Sequence, residues 1–362
     1  MIKVIFASVV IIHGLIHLMG FVKASQLVKI NQLTQTIHKP IGLLWLISAL
    51  LFITAAVIFL LKNDWWWMIA VPALLFSQLL IIMYWQDAKY GTIANVIILV
   101  GIIIGYGAWS FNTMAKNELE TFVAPAASEK KVVTKEMLSG LPPIVQKWVE
   151  RSNVIGKEII YSVHLKQIGE MRTTPAGKWM PVEAEQWFKT EKPGFIWIAD
   201  VKAAPGIHLA GRDKYEDGKG HMLIKLLSLI PVADTKGKEA DQGAMLRYLA
   251  EMIWFPSAVL NNYINWEQID STTAKATMTY GGITASGLFR FDKNGDMVSF
   301  EAKRYYNRKD GATLEDWFIQ IEPNSYKEFG GVRIPTRPAV TWKLEEGDFT
   351  WYKLEIADIH YN

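Results

Sequence analysis

The chain has 362 residues, enough for two or three domains of ordinary size, and at 51% apolar and 20% charged residues it is neither disordered nor collagen-like. It contains no cysteine, which excludes disulfides, thiolate metal sites and Cys nucleophiles. Residues 1–110 carry six Lys and two Asp, a formal +4, while residues 111–362 carry 32 basic and 33 acidic residues, a formal −1; no basic domain exists, and nucleic acid is not an expected partner.

The first third is membrane-like. A helical span needs about 20 apolar residues, and four such runs occur: Val4 to Val22, Ile41 to Leu61, Trp65 to Trp85 and Thr92 to Phe111. The first run is long, lacks a convincing small-residue cleavage site and is followed by further spans, so it reads as an anchor rather than a secretion signal. Trp65, Trp66, Trp67, Tyr84, Trp85 and Tyr90 cluster at run ends, where an aromatic ring with a polar tip suits the membrane interface. The connection from Lys23 to Pro40 can form a short amphipathic surface helix with Leu27, Ile30 and Leu33 on one side. Four spans place both termini on one side. The connection lysines (Lys23, Lys29, Lys39 and Lys89 against Lys3 and Lys62) favour both termini outside, although Lys116, Lys130 and Lys131 pull the other way. The expected location is a bacterial inner membrane, with the following domain extracytoplasmic.

Two features inside the spans carry chemistry. His13 and His17 are four apart, hence on one helix face, and an ionisable group in a span is a functional candidate because leaving it unpaired costs several kcal/mol. The pair reads either as a polar, proton-relay or redox site, or as two imidazoles hydrogen-bonded to neighbouring helices. No further carboxylate or His completes a metal set in the spans. In GIIIG, Gly101 and Gly105 lie on one face and permit close helix packing.

Residues 112–139 are polar, include APAAS and EKK, and read as a linker. LPPIVQKWVERS, residues 141–152, follows as a short docking helix with Leu141, Ile144, Val145 and Trp148 on its apolar side. From about Gly156 the pattern alternates with period two, punctuated by turns such as Asp217-Gly218, Asn294-Gly295 and Asp310-Gly311. Nine to eleven closely spaced strands without alternating helices predict an antiparallel, strongly curved sheet, a half-barrel. Residues 239–255, EADQGAMLRYLAEMIWF, interrupt it as an inserted helix that plugs the open side. The fold class is therefore α+β: a four-helix transmembrane bundle (1–111), then a β-rich domain (140–362).

Nine Trp lie beyond residue 111, a set that either lines a cavity for an apolar molecule or fills a core. Arg247 and Glu251, four apart on the inserted helix, read as a surface ion pair or as the polar end of a ligand site. With Trp254, Trp179 and Trp197 they form the candidate ligand-binding set; Arg172 and Asp213 are weighed the same way. GRDKYEDGKGH (211–221) reads as a solvated hairpin tip rather than a cation loop. No nucleophile elbow, P-loop or zinc motif occurs, so no catalytic residue, metal or cofactor is assigned.

YKEFGGVRIPTRPAVTWKLEEGDFTWYKLEIADIHYN, at the C-terminus, resembles the last strands of lipoprotein-carrier-like domains, which implies a curved sheet enclosing acyl chains under helical lids. The blocks from LPPIVQKWVERS through GKWMPVEAEQWF, PGFIWIADV and RYLAEMIWFPSAVL are similar to an uncharacterised bacterial family of unknown function, which implies no activity. HGLIHLMGF and the hydropathy of the first third resemble DoxX-like membrane proteins. The expected function is a membrane-anchored, non-catalytic protein that binds an apolar or lipidic ligand or an envelope partner. A redox or quinone-linked role for His13 and His17 and a structural scaffold are the alternatives.

Overall fold

The computed structural model describes residues 2–123 and 131–362. APAAS and the first two residues of EKK lie outside them. The chain forms two compact units, Met1–Lys116 with Leu227–Leu229, and Asn117–Leu226 with Ile230–Asn362.

The first unit contains α1 (Ile2–Ala24), α2 (Lys39–Leu60), α3 (Trp66–Met83), the single turn α4 (Trp85–Ala88) and most of α5 (Gly91–Phe122), whose end from Asn117 on belongs to the second. Four of these helices are long and apolar enough to cross a membrane. Their burial is inverted relative to a water-soluble bundle. The helix contacts are lined by Ala49, Ala55, Ala56, Ala70 and Ala73 around Phe52, while Leu15, Leu43, Leu50, Leu75 and Ile82 face outward. Outside a bilayer those exposed side chains would carry the full hydrophobic penalty. Gly101 and Gly105 serve this packing: a Cβ at Gly101 would stand 2.3 Å from the Phe6 ring, and one at Gly105 2.7 Å from the Trp66 indole.

Two expectations are corrected here. No helix forms between Ala24 and Lys39. The Asp87 carboxylate instead takes the Thr34 N–H (2.6 Å), the Thr34 hydroxyl (2.7 Å) and the Gln35 N–H (3.0 Å), donors that a helix would have used internally. Nor are residues 112–139 simply a linker. α5 continues to Phe122, because NTMAKNELETF is polar but rich in helix formers. Val133 donates its N–H to the Lys157 carbonyl (2.8 Å), and Val133 and Leu138 are buried.

In the second unit α6 (Pro143–Arg151) lays Trp148 against Phe289, Phe291 and Trp266. There follow β1 (Ser162–Met171), β2 (Met180–Lys189), β3 (Gly194–Ala204), β4 (Ile207–Glu216), β5 (Lys219–Leu226), β6 (Ile230–Thr235), α7 (Lys238–Glu251), β7 (Ile264–Gln268), β8 (Thr273–Tyr280) and β9 (Ile283–Phe291). The rest are β10 (Met297–Arg308), β11 (Gly311–Ile321), β12 (Tyr326–Phe329), β13 (Val332–Pro335), β14 (Pro338–Leu344) and β15 (Gly347–Tyr361). Thirteen strands form one antiparallel sheet in the order β6-β5-β4-β3-β2-β1-β15-β14-β11-β10-β9-β8-β7, and β12–β13 form a separate ribbon. The count exceeds the expected nine to eleven because the short edge strands β6 and β7 and the ribbon are too brief to show alternation.

The curl has local causes. Register shifts at Lys166/Gln167, Val340/Thr341 and Met297/Ser299 bend the strands. At the β4–β5 and β8–β9 turns, Gly218 (φ 77°) and Gly281 (φ 59°) meet so closely that a Cβ on Gly218 would lie 2.7 Å from Gly281 Cα. Strands far apart in sheet order thus come into contact. α7 joins the two outermost strands, β6 and β7, and so must cross the concave face, where it touches β4 and β5 on one arm and β8, β9 and β10 on the other. It ends at Glu251, earlier than expected, because the chain tightens into a 3₁₀ turn at Met252–Trp254 before Pro256.

Candidate functional site

Cross-strand registers define what the concave face carries. β2 presents Val182, Ala184, Gln186 and Phe188; β3 presents Phe195, Trp197, Ala199 and Val201; β4 presents Leu209, Gly211, Asp213 and Tyr215; β10 presents Phe300, Ala302, Arg304 and Tyr306. Under α7 this face is closed: Met245, Tyr248, Leu249, Met252 and Phe255 are fully buried. Toward the β1–β2, β10–β11 and β14–β15 hairpins it opens, and Met171, Met180, Leu209, Tyr306 and Leu344 are only partly covered. The apolar concave surface thus grades from fully buried core to partly exposed side chains.

A buried polar network lies on this face. Arg247 donates from Nε to Glu251 Oε1 (2.8 Å) and from Nη1 to Asp213 Oδ2 (2.7 Å), and lies over the rings of Phe195 and Trp197 (4.9 and 5.1 Å). Gln186 donates to Glu251 Oε2 (2.7 Å), and Gln167 donates to Gln186 Oε1 (3.0 Å). Gln167 Oε1 accepts from the Trp197 indole (3.0 Å) and the Tyr352 hydroxyl (3.2 Å). Burial pulls the Arg247 guanidinium down, but Glu251 and Asp213 outweigh it and hold it above its ordinary value. Burial lifts the Glu251 carboxyl above the usual carboxylate range. Such a network, satisfied at nearly every atom, positions its members rigidly.

Of the expected ligand set, Arg247, Glu251 and Trp197 come together, with Asp213 as a fourth member. Trp254 does not join them: its indole donates to the Pro335 carbonyl (3.1 Å) in the core. Trp179 lies just before β2, under the cations of Arg172 (4.7 Å) and Lys353 (4.6 Å). Residues 211–221 are not merely a solvated tip, because β4 runs to Glu216 and buries Arg212 and Asp213 on opposite faces; Arg212 pairs with Glu118 (2.9 Å). Gln167, Gln186, Tyr352 and Arg304 escaped sequence reasoning. Their signal is parity: Gln186 and Arg304 occupy apolar-phase positions of β2 and β10.

Two cavities lie elsewhere. One, of about 1090 Å³, is lined by Phe122, Ile160, Trp187 and Phe188 with a rim of Lys189, Glu191, Lys192 and Asp217. The other, of about 730 Å³, is a groove on the outer face beside Ile168, Glu170, Glu183 and Arg337. Neither contains a residue of the expected ligand set.

In the helical unit, His13 and His17 are buried. His13 Nε2–H donates to Asn95 Oδ1 (2.9 Å), which also accepts from the Ser77 hydroxyl (3.0 Å), and Asn95 Nδ2 donates to Gln78 (3.0 Å). His17 Nδ1–H donates to the His13 carbonyl (2.8 Å), which leaves the Nε2 lone pair buried and, among the described residues, unpartnered, as is the Trp45 indole N–H. Among the described residues no group of three or more His, Asp or Glu is placed to hold a metal ion.

The second unit is thus an antiparallel half-barrel crossed by one helix over a buried polar network. Residues 131–354, more than half of the chain, match the model of a family of unknown function, DUF6544, and the chain belongs to that family. No curated protein matches it. Similar solved structures include a domain assigned as an outer membrane lipoprotein-sorting protein from Vibrio parahaemolyticus, at 11% identity and a TM-score of 0.36, covering 60% of this chain and 91% of that one. A DUF1329 family protein from Desulfovibrio piger ATCC 29098 is similar at 10% identity and a TM-score of 0.34, covering 62% and 93%.

Proposed function

We propose that this protein is a membrane-anchored, non-catalytic binding protein whose half-barrel takes an apolar or lipidic ligand at the open part of its concave face. The single supporting observation is the grading of that face, where Met171, Met180, Leu209, Tyr306 and Leu344 form accessible apolar surface above a fixed polar floor. Burying such surface yields about 25 cal/mol per Å², so a ligand covering a few hundred Å² gains several kcal/mol. Four helices apolar enough to cross a membrane would tether the half-barrel to a bilayer, a source of lipid. The lysine distribution supports an extracytoplasmic half-barrel in a bacterial inner membrane, which protease accessibility in spheroplasts tests.

The direct test uses the full chain, gently extracted and delipidated in a neutral maltoside. It should take up a fluorescent fatty acid saturably, and native mass spectrometry of undelipidated protein should show bound lipid. Leu344→Glu should weaken uptake about tenfold or more. No saturable uptake by the wild type overturns the proposal, and co-purification with an envelope protein in place of lipid favours the partner reading.

A second reading rests on the unpartnered Nε2 of His17, oriented by the Nδ1 bond to the His13 carbonyl, an arrangement that suits a ligating or quinone-contacting imidazole. Extracted protein should then carry a chromophore or quinone that His17→Ala removes. Protein free of both refutes it.

A further inference from the structure

We propose that the concave face holds an anionic head group, a carboxylate or phosphate oxyanion, on Arg304, so that an amphiphile enters the half-barrel head first; this rests on the reading that the face takes an apolar ligand. Arg247 is paired with two carboxylates and a glutamine, whereas Arg304, four residues along β10 from the core residue Phe300, is not. The register sets Glu315 opposite Arg304, but that carboxylate is held by Arg308 (3.0 Å) and Thr313 (2.8 Å). Among the described residues Arg304 makes no hydrogen bond or ion pair. Its guanidinium lies over the Trp317 and Trp342 rings at 4.7 and 5.8 Å.

Stacking on indoles contributes about 0.5–2 kcal/mol, less than the several kcal/mol that desolvating an ion costs. Burial accordingly pulls the Arg304 guanidinium down to about 10, since Asp213 and Glu251 attract it only from beyond ion-pair distance and Arg247 repels it. Trp317 adds a second donor, for its indole N–H is buried without a hydrogen-bond partner among the described residues. α7 leaves room for the cation, because a Cβ at Gly243 would stand 3.1 Å from Arg304 Nε. A planar guanidinium with its donors unused matches the paired oxygens of a carboxylate or phosphate.

Position gives the orientation. Arg304 lies four residues along β10 from Arg308 at the hairpin, roughly 13 Å below the rim. The side chains between include the apolar Tyr306 on β10, with Trp342 and Leu344 across the face, beside Thr313 and Glu315, whose polar groups are engaged with Arg308. A charged head reaching Arg304 would therefore leave its tail along Tyr306 and Leu344 toward the mouth, while the far side of α7 is solid core.

The test titrates the delipidated full chain, in neutral maltoside, with oleate, oleyl alcohol and inorganic phosphate. Oleate should bind about tenfold tighter than oleyl alcohol, and Arg304→Gln should bring oleate to the alcohol's affinity while leaving the alcohol unchanged. Phosphate binding that Arg304→Gln abolishes, without an oleate preference, supports the oxyanion site with a free anion as its occupant. Trp317→Phe, which keeps the ring and deletes the N–H, should reduce the oleate preference about threefold, and it decides the matter if Arg304→Gln does not fold. With no phosphate binding, equal affinities for oleate and oleyl alcohol overturn the head-group assignment yet leave the apolar reading intact. Failure of oleate, oleyl alcohol and phosphate all to bind removes both.

Discussion

Arg247→Met tests whether the network beneath α7 is electrostatically closed. The substitution keeps most of the side-chain volume and deletes the cation between Asp213 and Glu251. Two charge-assisted hydrogen bonds, at 2.7 and 2.8 Å, are lost from groups whose side chains are 11–14% exposed. Bonds of this kind are worth about 1.5–3 kcal/mol each, and breaking a buried pair from one side costs about 3–5 kcal/mol. Gln186 still donates to Glu251, so the expected loss is about 4 kcal/mol at pH 8. The sign of the pH dependence follows from the orphaned carboxylates. Burial already lifts the Glu251 carboxyl above its ordinary value, and removing Arg247 lifts it further. The penalty is complete above the raised value and is relieved as pH falls toward the unfolded one. Urea unfolding of the full chain in maltoside, followed by Trp fluorescence, should show a smaller deficit at pH 5 than at pH 8. Arg247→Met combined with Asp213→Asn and Glu251→Gln should recover more than half of it. A loss below about 1 kcal/mol, or an equal loss at both pH values, would refute the buried-network reasoning.

Asp296 is clamped by Arg151 (2.7 Å) and Arg333 (2.6 Å), which outweigh burial and hold its carboxyl down to about 2. A depressed folded value contributes stability that is present above the ordinary value of 3.8 and lost as pH falls from there through about 2. Acid titration of unfolding should therefore show about 2 kcal/mol disappearing in that window, and the window should vanish in Asp296→Asn. In the helical unit, Gly101→Val drives a side chain into the Phe6 ring and should cost about 1–3 kcal/mol of bundle stability. Ile103→Val, on an exposed surface, should be neutral. Thermal inactivation of the monodisperse fraction measures both, and equal midpoints would show that Gly101 is not a packing contact.

Reading residues in order reaches as far as local geometry does. GIIIG, the four apolar runs and the DKNGD hairpin are local patterns, and the helices and turns appear where those patterns place them. Arg247 and Glu251 could be paired in advance because four residues make one helical turn. Polarity misled at NTMAKNELETF, which is charged enough to look like a connector yet forms the end of α5. Asp213 looked like part of a charged tip because nothing local shows that β4 carries it under α7.

Residue order alone was enough to show a first third apolar enough to span a membrane and a curved antiparallel second part, since hydropathy and alternation are one-dimensional properties. The pairing of β1 with β15, the crossing of α7 between the two edge strands, and the meeting of Gln167, Gln186, Asp213, Arg247 and Glu251 were decided only in three dimensions. Those residues are up to 84 positions apart, from 167 to 251. Whether a charge at such a position is exposed, paired or, like Arg304 among the described residues, left without a hydrogen bond or ion pair depends on which distant strand the curl of the sheet brings against it.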